Sequence, residues 1–564
     1  MSMPAVTFKN VNFKYRVQSQ ATLHDVSFAF DYGEKIIIAG PSGSGKTTIG
    51  HLINGLIPQS FPGNLDGQIL VNDQDVSKLD IFNLSFAVAT VLQDTDAQFV
   101  GMTVAEDVSF LLENENIDHQ TLLKKTNHWL TELNLQSVKN HHPQELSGGQ
   151  KQRVSMASVL SSDSKILLFD EPLANLDPAA GRAAIQLISQ LQKKLNLTVI
   201  IIEHRLEEAL KIQADKLVIV SRGKIIANDT PDRVLQSGVV SQVGLREPLY
   251  LTALKKAGFD LSLEKHLTDL SSLNQELVSK KISNWLNTQI SVKKPNPGQP
   301  ILSIKNLFFS YPKQSVFKDF NLDFYAGQIT AIVGKNGSGK STFSNLVTGF
   351  LKQDSGQIFF DGQSLDSLSV KERADKIGYV LQNPNQMISQ NIVFDEVAYG
   401  LKLREVNPEE IKTRVRRVLK ISGLDSMRHW PVSALSFGQK KRVTIASVLV
   451  LEPQILLLDE PTAGQDYLNY RSIMNFVASL NREHHTSIIV ITHDMHLMLE
   501  YADRALALVD GKILADDRPA VLLSNLELLK EASLAPTSLY NLARFSQVDP
   551  IKLSERLVES EADL

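Results

Sequence analysis

The sequence predicts an α/β protein built twice in tandem, each half a mainly parallel sheet with helices against it and an added antiparallel β part. Three observations predict it. Whole strings of residues recur in the second half, the recurrences from Gln93 onward keep one register, and within each half short apolar runs alternate with helical stretches. Alternation of that kind favours parallel strands joined through helices.

The recurring strings come first, because a missed repeat misassigns the whole fold. GPSGSGKTT at Gly40–Thr48 returns as GKNGSGKST at Gly334–Thr342. LSGGQKQR at Leu146–Arg153 returns as LSFGQKKR at Leu435–Arg442, and ILLFDEP at Ile166–Pro172 as ILLLDEP at Ile455–Pro461. Gln93 and Gln382, Ser147 and Ser436, Asp170 and Asp459, and His204 and His493 are each 289 positions apart. Lys46 and Lys340 are 340 − 46 = 294 apart, so the first half carries 294 − 289 = 5 extra residues before Gln93. Gly55 pairs with Gly349 at 294 and Gly67 with Gly356 at 289, which places the insertion around Pro58–Asn64. That stretch bears Pro and Gly and reads as a loop.

The register reaches the tails, where Leu245 and Leu534 are again 289 apart. The expected organisation is a first domain over 1–241, a helical appendage and linker over 242–300, a second domain over 301–530 and a helical appendage over 531–564. The linker proper is the Pro-rich, polar KKPNPGQP at Lys293–Pro300. Segments Val6–Phe13, Ser27–Phe30, Leu302–Phe309 and Asn321–Phe324 suggest the antiparallel part.

Composition narrows the function. The 564 residues carry a formal net charge of −4, so no excess of positive charge points to a nucleic-acid partner. The chain has no cysteine, which removes disulfides, thiolate zinc sites and cysteine-held iron–sulfur clusters and fits a reducing compartment. Met1–Asn10 lacks the basic start and apolar run of a signal peptide. The greasiest runs, Ile36–Ala39, Ile166–Phe169, Val199–Ile202 and Ile455–Leu458, are far shorter than the ~20 residues of a membrane span. Any membrane link is expected to pass through a partner.

Gly40–Thr47 fits G-x-x-x-x-G-K-[ST], with apolar Lys35–Ala39 before it as a strand and Thr48–Asn54 able to follow as a helix. Glycines let the backbone wrap tightly, so several N–H groups converge on one anion at a positive helix end. The expected nucleotide contacts are Gly40, Ser42, Gly43, Ser44, Gly45, Lys46, Thr47 and Thr48, repeated by Gly334, Asn336, Gly337, Ser338, Gly339, Lys340, Ser341 and Thr342. In this motif Lys46 and Lys340 reach the β- and γ-phosphates, and the hydroxyls of Thr47 and Ser341 ligate Mg²⁺.

Ile166–Phe169 reads as a buried strand ending in Asp170-Glu171, matched by Asp459-Glu460. Ligands of open α/β sheets bind beyond the carboxyl ends of strands. Asp170 and Asp459 are placed to hold Mg²⁺ through water; Glu171 and Glu460 are placed to orient or deprotonate an attacking water. His204 and His493 each follow an apolar strand and can hydrogen-bond a γ-phosphate.

This ordered set resembles the ATPase domains of ABC proteins, over nearly the whole chain. The resemblance implies a P-loop fold with a helical signature subdomain. It also implies that the LSGGQ helix start closes on the γ-phosphate of ATP held by the opposite domain. One shared site would then combine Lys46, Asp170, Glu171 and His204 with Ser436 and Gly438. The other would combine Lys340, Asp459, Glu460 and His493 with Ser147 and Gly149. Tyr15 and Tyr311 resemble the aromatics that stack on adenine. Gln93 and Gln382 resemble the Q-loop glutamines, which sense Mg²⁺ and touch a transmembrane partner. Asp177 and Asp466 resemble D-loop aspartates. Two departures stand out. Phe437 replaces the first signature glycine, and the second D-loop reads Ala463-Gly464-Gln465-Asp466. Both glutamates are present, so two hydrolytic sites are expected.

The segments after the glutamines are Asp94–Val100 with Thr103–Val108, and Asn383–Ile388 with Val393–Val397. Together with Glu203-His204-Arg205 and LSFGQ, they resemble the fused, duplicated ATPase subunit of energy-coupling-factor (ECF) importers. That resemblance implies ATP and Mg²⁺ as cofactors and a peripheral place on the cytoplasmic face of the cell membrane. It implies two partners, a transmembrane coupling protein and a substrate-binding membrane protein, and as substrate a vitamin, a vitamin precursor or a transition-metal ion. Phe99, Val100, Met387 and Ile388 are candidates for a groove that receives coupling helices. Two alternatives are a soluble twin-ABC ATPase acting on ribosomes and the ATPase of another ABC transporter class. The KKPNPGQP linker lacks the long, charged, helical character of the ribosome-acting proteins.

Overall fold

The computed structural model describes residues 4–94, 96–115, 117–174, 176–287, 298–312 and 314–562. They form two compact units, Met1–Lys281 and Ile282–Leu564. Each unit holds a four-stranded and a six-stranded sheet.

In the first unit the strands are β1 (Pro4–Tyr15), β2 (Leu23–Asp31), β3 (Lys35–Ala39), β4 (Gly63–Val71), β5 (Gln74–Asp75), β6 (Val88–Val91), β7 (Ile166–Asp170), β8 (Thr198–Ile202), β9 (Lys216–Ser221) and β10 (Lys224–Asp229). The smaller sheet runs β2-β1-β4-β5 and the larger β10-β9-β3-β8-β7-β6. In the larger sheet β9, β3, β8, β7 and β6 pair in parallel, and only β10 is antiparallel. The second unit repeats this with β11 (Pro300–Tyr311), β12 (Gln314–Tyr325), β13 (Ile329–Val333), β14 (Ser355–Phe360), β15 (Gln363–Ser364), β16 (Ile377–Val380), β17 (Ile455–Asp459), β18 (Ser487–Ile491), β19 (Arg504–Val509) and β20 (Lys512–Asp517). Its sheet orders are β12-β11-β14-β15 and β16-β17-β18-β13-β19-β20.

Local sequence explains the two sheet types. In β1 the large buried apolar residues are Val6, Phe8, Val11 and Phe13, a period of two interrupted once, with the small Ala5 and Thr7 buried between them on the other face. The interruption is a bulge, where the register shifts between Phe8 and Val11 and Asn10 takes φ 49°. The extra residue returns the apolar side chains to one face. Asn306, at φ 49°, does the same between Ile304 and Leu307 in β11. The parallel strands are apolar on both faces. In β17, Ile455 and Leu457 join the core under helix Lys340–Thr348, whereas Leu456 and Leu458 join the core of the helical part. Strands covered on both sides read as continuous hydrophobic runs, as these do.

Between β6 and β7 the chain forms helices Val104–Asn114, His119–Glu132 and Gly148–Ser161; between β16 and β17 it forms Val393–Lys402, Pro408–Ile421 and Phe437–Leu449. The last of each set begins at the recurring LSxGQ string.

Two details differ from the sequence expectation. The helix after the first glycine loop spans Lys46–Ile53, opening at the lysine rather than at Thr48. The insertion is only partly a loop. Gly63, Asn64 and Leu65 lengthen β4 and pair with Tyr15, Lys14 and Phe13, so the first unit's β4 has 9 residues against 6 in β14. The turn glycine and the preceding prolines suggested a loop, but the edge of β1 offered unpaired backbone groups for more strand.

Helices Leu249–Lys256 and Gln275–Leu286 follow the first ten strands, and Ser538–Phe545 and Pro550–Ala562 follow the second ten. The divide between the units falls inside Gln275–Leu286. Of the expected linker, Lys293–Pro297 lies outside the described residues, and Pro300 already belongs to β11. Among the described residues no helix is long and apolar enough to cross a membrane.

Candidate functional site

The carboxyl ends of β3, β7 and β8 bring the first set of candidates together. The loop after β3 turns through Gly43 at φ 73° and Gly45 at φ 105°, conformations a side chain resists. At Gly40 the constraint is space, since a methyl group there would lie 2.1 Å from the Val220 carbonyl oxygen. The corresponding distance at Gly334 is 2.0 Å, to the Leu508 oxygen. Lys46 Nζ is buried and donates to the carbonyls of Gly40 at 2.7 Å and Pro41 at 2.9 Å. Lys340 Nζ does the same to Gly334 at 2.8 Å and Lys335 at 2.9 Å. Thr47 and Ser341 are exposed next to them. The hydroxyls of Ser44 and Ser338 are buried without a hydrogen-bond partner among the described residues.

Tyr15 closes β1, and its hydroxyl lies 3.0 Å from Thr48 Oγ1. It lines a cleft of about 830 Å³ together with Gly43, Lys46, Thr47 and Thr48. His24 and Arg222 also reach this cleft, and neither was expected from the sequence. Tyr311 stands 3.5 Å from Thr342 Oγ1 in the same relation.

Asp170 ends β7. Its Oδ1 is buried with no hydrogen-bond partner among the described residues, and burial, reinforced by the charge of Glu171, pushes its pKa up to about 7. Burial and Glu460 raise that of Asp459 as well, but there the Tyr379 hydroxyl donates to Oδ2 at 3.2 Å. The register mate of Tyr379 is Thr90.

Glu171 and Glu460 follow with φ 48° and 42°, a left-handed conformation that costs a residue with a side chain on the order of 1 kcal/mol. Each is fixed there by its amide, which donates to Ile202 or Ile491 at 2.9 Å and extends the strand pairing by one bond. Burial opposes the charge of Glu171, but the neighbouring His204 imidazole outweighs it and holds the pKa below the ordinary glutamate value. Gln93 Nε2 donates to Glu171 Oε2 at 2.7 Å. His204 Nδ1 is 3.4 Å from Glu171 Oε1, whereas His493 Nδ1 is 2.7 Å from Glu460 Oε1. Gln382 is exposed, and its carbonyl accepts from Lys441 Nζ at 2.8 Å. Burial lowers the Lys441 pKa to about 8.

The signature residues of the first half stand apart from the Lys46 cleft. Ser147 caps helix Gly148–Ser161 in a reciprocal capping box with Gln150, and Ser436 caps Phe437–Leu449 with Gln439. Neither Ser147 nor Gly149 lines the Lys46 cleft. Instead Gly148 borders a smaller cleft of about 210 Å³ with Gln93 and Glu171. Gly438 is buried at the start of its helix, and Phe437 beside it is 42% exposed. Asp177 and Asp466 cap the helices after the Asp-Glu pairs, accepting from Ala180 N at 2.8 Å and Asn469 N at 2.9 Å.

The protein family described as ABC transporter matches residues 23–174 and 317–463, both glycine loops and both Asp-Glu pairs included. A relative from Lactiplantibacillus plantarum bearing an ABC transporter ATP-binding protein name is 52% identical over 565 residues, all of both chains. This chain belongs to the ABC transporter ATP-binding family. It is an ATPase with two tandem ABC domains. An Enterococcus faecalis relative of the same name is 48% identical, again over the full length of both. A further family, described as ATP-binding cassette cobalt transporter, matches residues 237–309. Among solved structures, the cbiO1 protein of Clostridium perfringens, titled as part of the ABC transporter complex cbiONQ, is 32% identical. It covers 44% of this chain and 98% of its own, at TM-score 0.40.

Within this ABC ATPase, besides His24 and Arg222, three contacts escaped the sequence: Tyr379 on Asp459, Lys441 on the Gln382 carbonyl, and the Glu203 carboxylate on His204 Nδ1. Their signal was register mismatch. Each pairs with a different residue type in the other half, Thr90, Gln152 and Thr492.

Proposed function

We propose that this ABC ATPase is the energy-coupling subunit of an ECF-type importer, its two halves closing on two ATP molecules. The observation that carries the ATP-site reading is a division of labour within the first half. Lysine, Asp-Glu pair, glutamine and histidine gather beyond one set of strand ends, while the half's own signature serine caps a helix outside the Lys46 cleft. A second half supplies what is missing. Lys46, Asp170, Glu171 and His204 then act with Ser436 and Gly438, and Lys340, Asp459, Glu460 and His493 with Ser147 and Gly149.

In this mechanism Lys46 and Lys340 exchange loop carbonyls for β- and γ-phosphate oxygens. The glycine-loop amides and the hydroxyls of Ser44 and Ser338 complete the cradle. Tyr15 and Tyr311 support the base. The residues fit a divalent cation, because Asp170 offers a buried carboxylate oxygen with no partner among the described residues. Thr47, Gln93 and Asp170, and Ser341, Gln382 and Asp459, would hold Mg²⁺, which when bound supplies positive charge to the phosphate oxygens. Glu171 and Glu460 orient the attacking water and take its proton; His204 and His493 donate to the γ-phosphate. Catalysis is mainly positioning and charge stabilisation.

The importer assignment is supported by the cobalt-transporter family match over 237–309 and by the segments that follow Gln93 and Gln382. A transmembrane coupling protein and a substrate-binding membrane protein are the proposed partners, holding the chain peripherally on the cytoplasmic face. Vitamins, their precursors and transition-metal ions are the substrate classes. The joint Glu171→Gln, Glu460→Gln variant should bind ATP normally and lose turnover by at least ~10²-fold, the typical worth of a general base. Wild-type ATPase activity in it would refute the assigned base. Recovery of the chain from detergent-solubilised membranes with ribosomes, and without multi-span proteins, would refute the importer.

A further inference from the structure

Positions 203 and 492 are register mates, 492 − 203 = 289, yet one is glutamate and the other threonine. Glu203 directly follows β8 and is 0% exposed. Its Oε1 accepts from the amides of His204 at 2.9 Å and Arg205 at 3.1 Å, and lies 3.4 Å from His204 Nδ1. Its Oε2 is buried with no hydrogen-bond partner among the described residues. A carboxylate this deep is costly unless a positive group meets it. The Arg205 guanidinium donates to the Leu173 carbonyl at 2.9 Å, and among the described residues His204 is the one basic side chain within ion-pair distance of Glu203.

The second half is wired differently. Thr492 Oγ1 donates to Glu460 Oε2 at 3.3 Å and accepts from the Asp494 amide at 3.0 Å. His493 Nδ1 is then left to a single carboxylate, Glu460, at 2.7 Å. In the first half, His204 Nδ1 stands equally far, 3.4 Å, from Glu171 and Glu203, and Gln93 takes over the hold on Glu171 at 2.7 Å.

We infer that Glu203 is a positioning residue for ATP hydrolysis in the first half: it shares the Nδ1 proton of His204 with Glu171 and keeps the ring cationic, so that Nε2 remains a donor. The inference rests on Glu171 and His204 acting on ATP as proposed above. Its logic is tautomeric. A nitrogen facing two carboxylates carries a proton, and the other ring nitrogen can then donate only if the imidazole is doubly protonated. The charged groups facing His204 are Glu171 beyond β7 and Glu203 and Arg205 beyond β8. Burial and Arg205 oppose the imidazolium, but the two carboxylates prevail and raise the His204 pKa. The cation therefore persists to higher pH and is lost as pH rises through that raised value.

The test uses the full chain with Glu460→Gln, so that only the first glutamate can turn over. Glu203→Gln, which keeps the shape, and Glu203→Thr, which copies the second half, are each added. Histidine-labelled protein reports the His204 titration by NMR without nucleotide, with His204→Gln identifying the signal. Both variants should lower the His204 pKa by about one pH unit, the usual effect of removing one close charge. The alkaline limb of kcat should move down with it, while KM for ATP stays within about twofold, and Glu203→Asp should restore both. A His204 titration unchanged in Glu203→Gln would overturn the inference, whatever happens to activity. If the Glu460→Gln parent instead keeps both turnovers, the base assignment fails while the NMR arm still judges Glu203. Should Glu203→Thr not fold, Glu203→Gln and Thr492→Glu in a Glu171→Gln background carry the test; the latter should raise the alkaline limb of the second site.

Discussion

Asp170 is a carboxylate placed where charge is costly until a cation arrives. Its pKa, raised to about 7 by burial and Glu171, lies above the unfolded value. The folded state therefore binds the extra proton, and stability falls as pH rises from about 4 to 7. Above that window the charge is a burden, offset when a divalent cation binds. Asp170→Asn should raise the thermal midpoint of the nucleotide-free protein at pH 7.5, by ~2–4 °C for each kcal/mol relieved. At pH 4 it should leave the midpoint unchanged. Differential scanning calorimetry at both pH values checks this; a lower midpoint at pH 7.5 would show that Asp170 has a structural partner. At this scale the sequence was informative wherever chemistry is tied to spacing. Lys46 follows its glycines by a fixed count, and Asp170-Glu171 ends a run of four apolar residues. Glu203, Tyr379 and Lys441 were not legible in role. Their roles depend on which strand end or helix turn they face, and spacing does not give that.

Among elements, the helices that start at the site are set by their caps. Asp177 accepts the Ala180 amide at 2.8 Å ahead of an 18-residue helix, and Pro178 occupies the first turn, where its missing N–H is harmless. Asp177→Ala should lower the unfolding free energy by ~1 kcal/mol, and Asp177→Asn should retain most of it. Urea unfolding of the two variants compares them directly. The apolar parallel strands and the bulged β1 and β11 could be read from alternation and runs. The short β4 extension could not, because Pro and Gly in Pro58–Gly63 weigh against a strand, whereas the open edge of β1 favours one. The helix start at Lys46 was two residues early for a related reason. The glycine loop itself supplies the first helical turn, without a side-chain cap.

For the whole molecule, the repeat, offset by 294 through the glycine loops and by 289 from Gln93 onward, puts two complete sets of site residues on one chain. Covalent linkage then replaces a second-order encounter by an intramolecular one. A protease site placed within Lys293–Pro297 tests this. Before cleavage, ATPase activity per mole should be independent of concentration. After cleavage it should fall on dilution as the halves separate. Activity that survives dilution of the cut protein would mean that each half hydrolyses ATP alone, and the shared-site mechanism would fail.

The amide bonds from Glu171 to Ile202 and from Glu460 to Ile491 bear on how this enzyme wears out. Each tethers a peptide unit twisted against its natural preference, at φ 48° and 42°. A tether under such tension is among the first to slip when a sheet end frays, and slipping swings the water-aiming carboxylate out of line. In mild urea, turnover should therefore vanish before far-ultraviolet circular dichroism registers any loss of helix or strand.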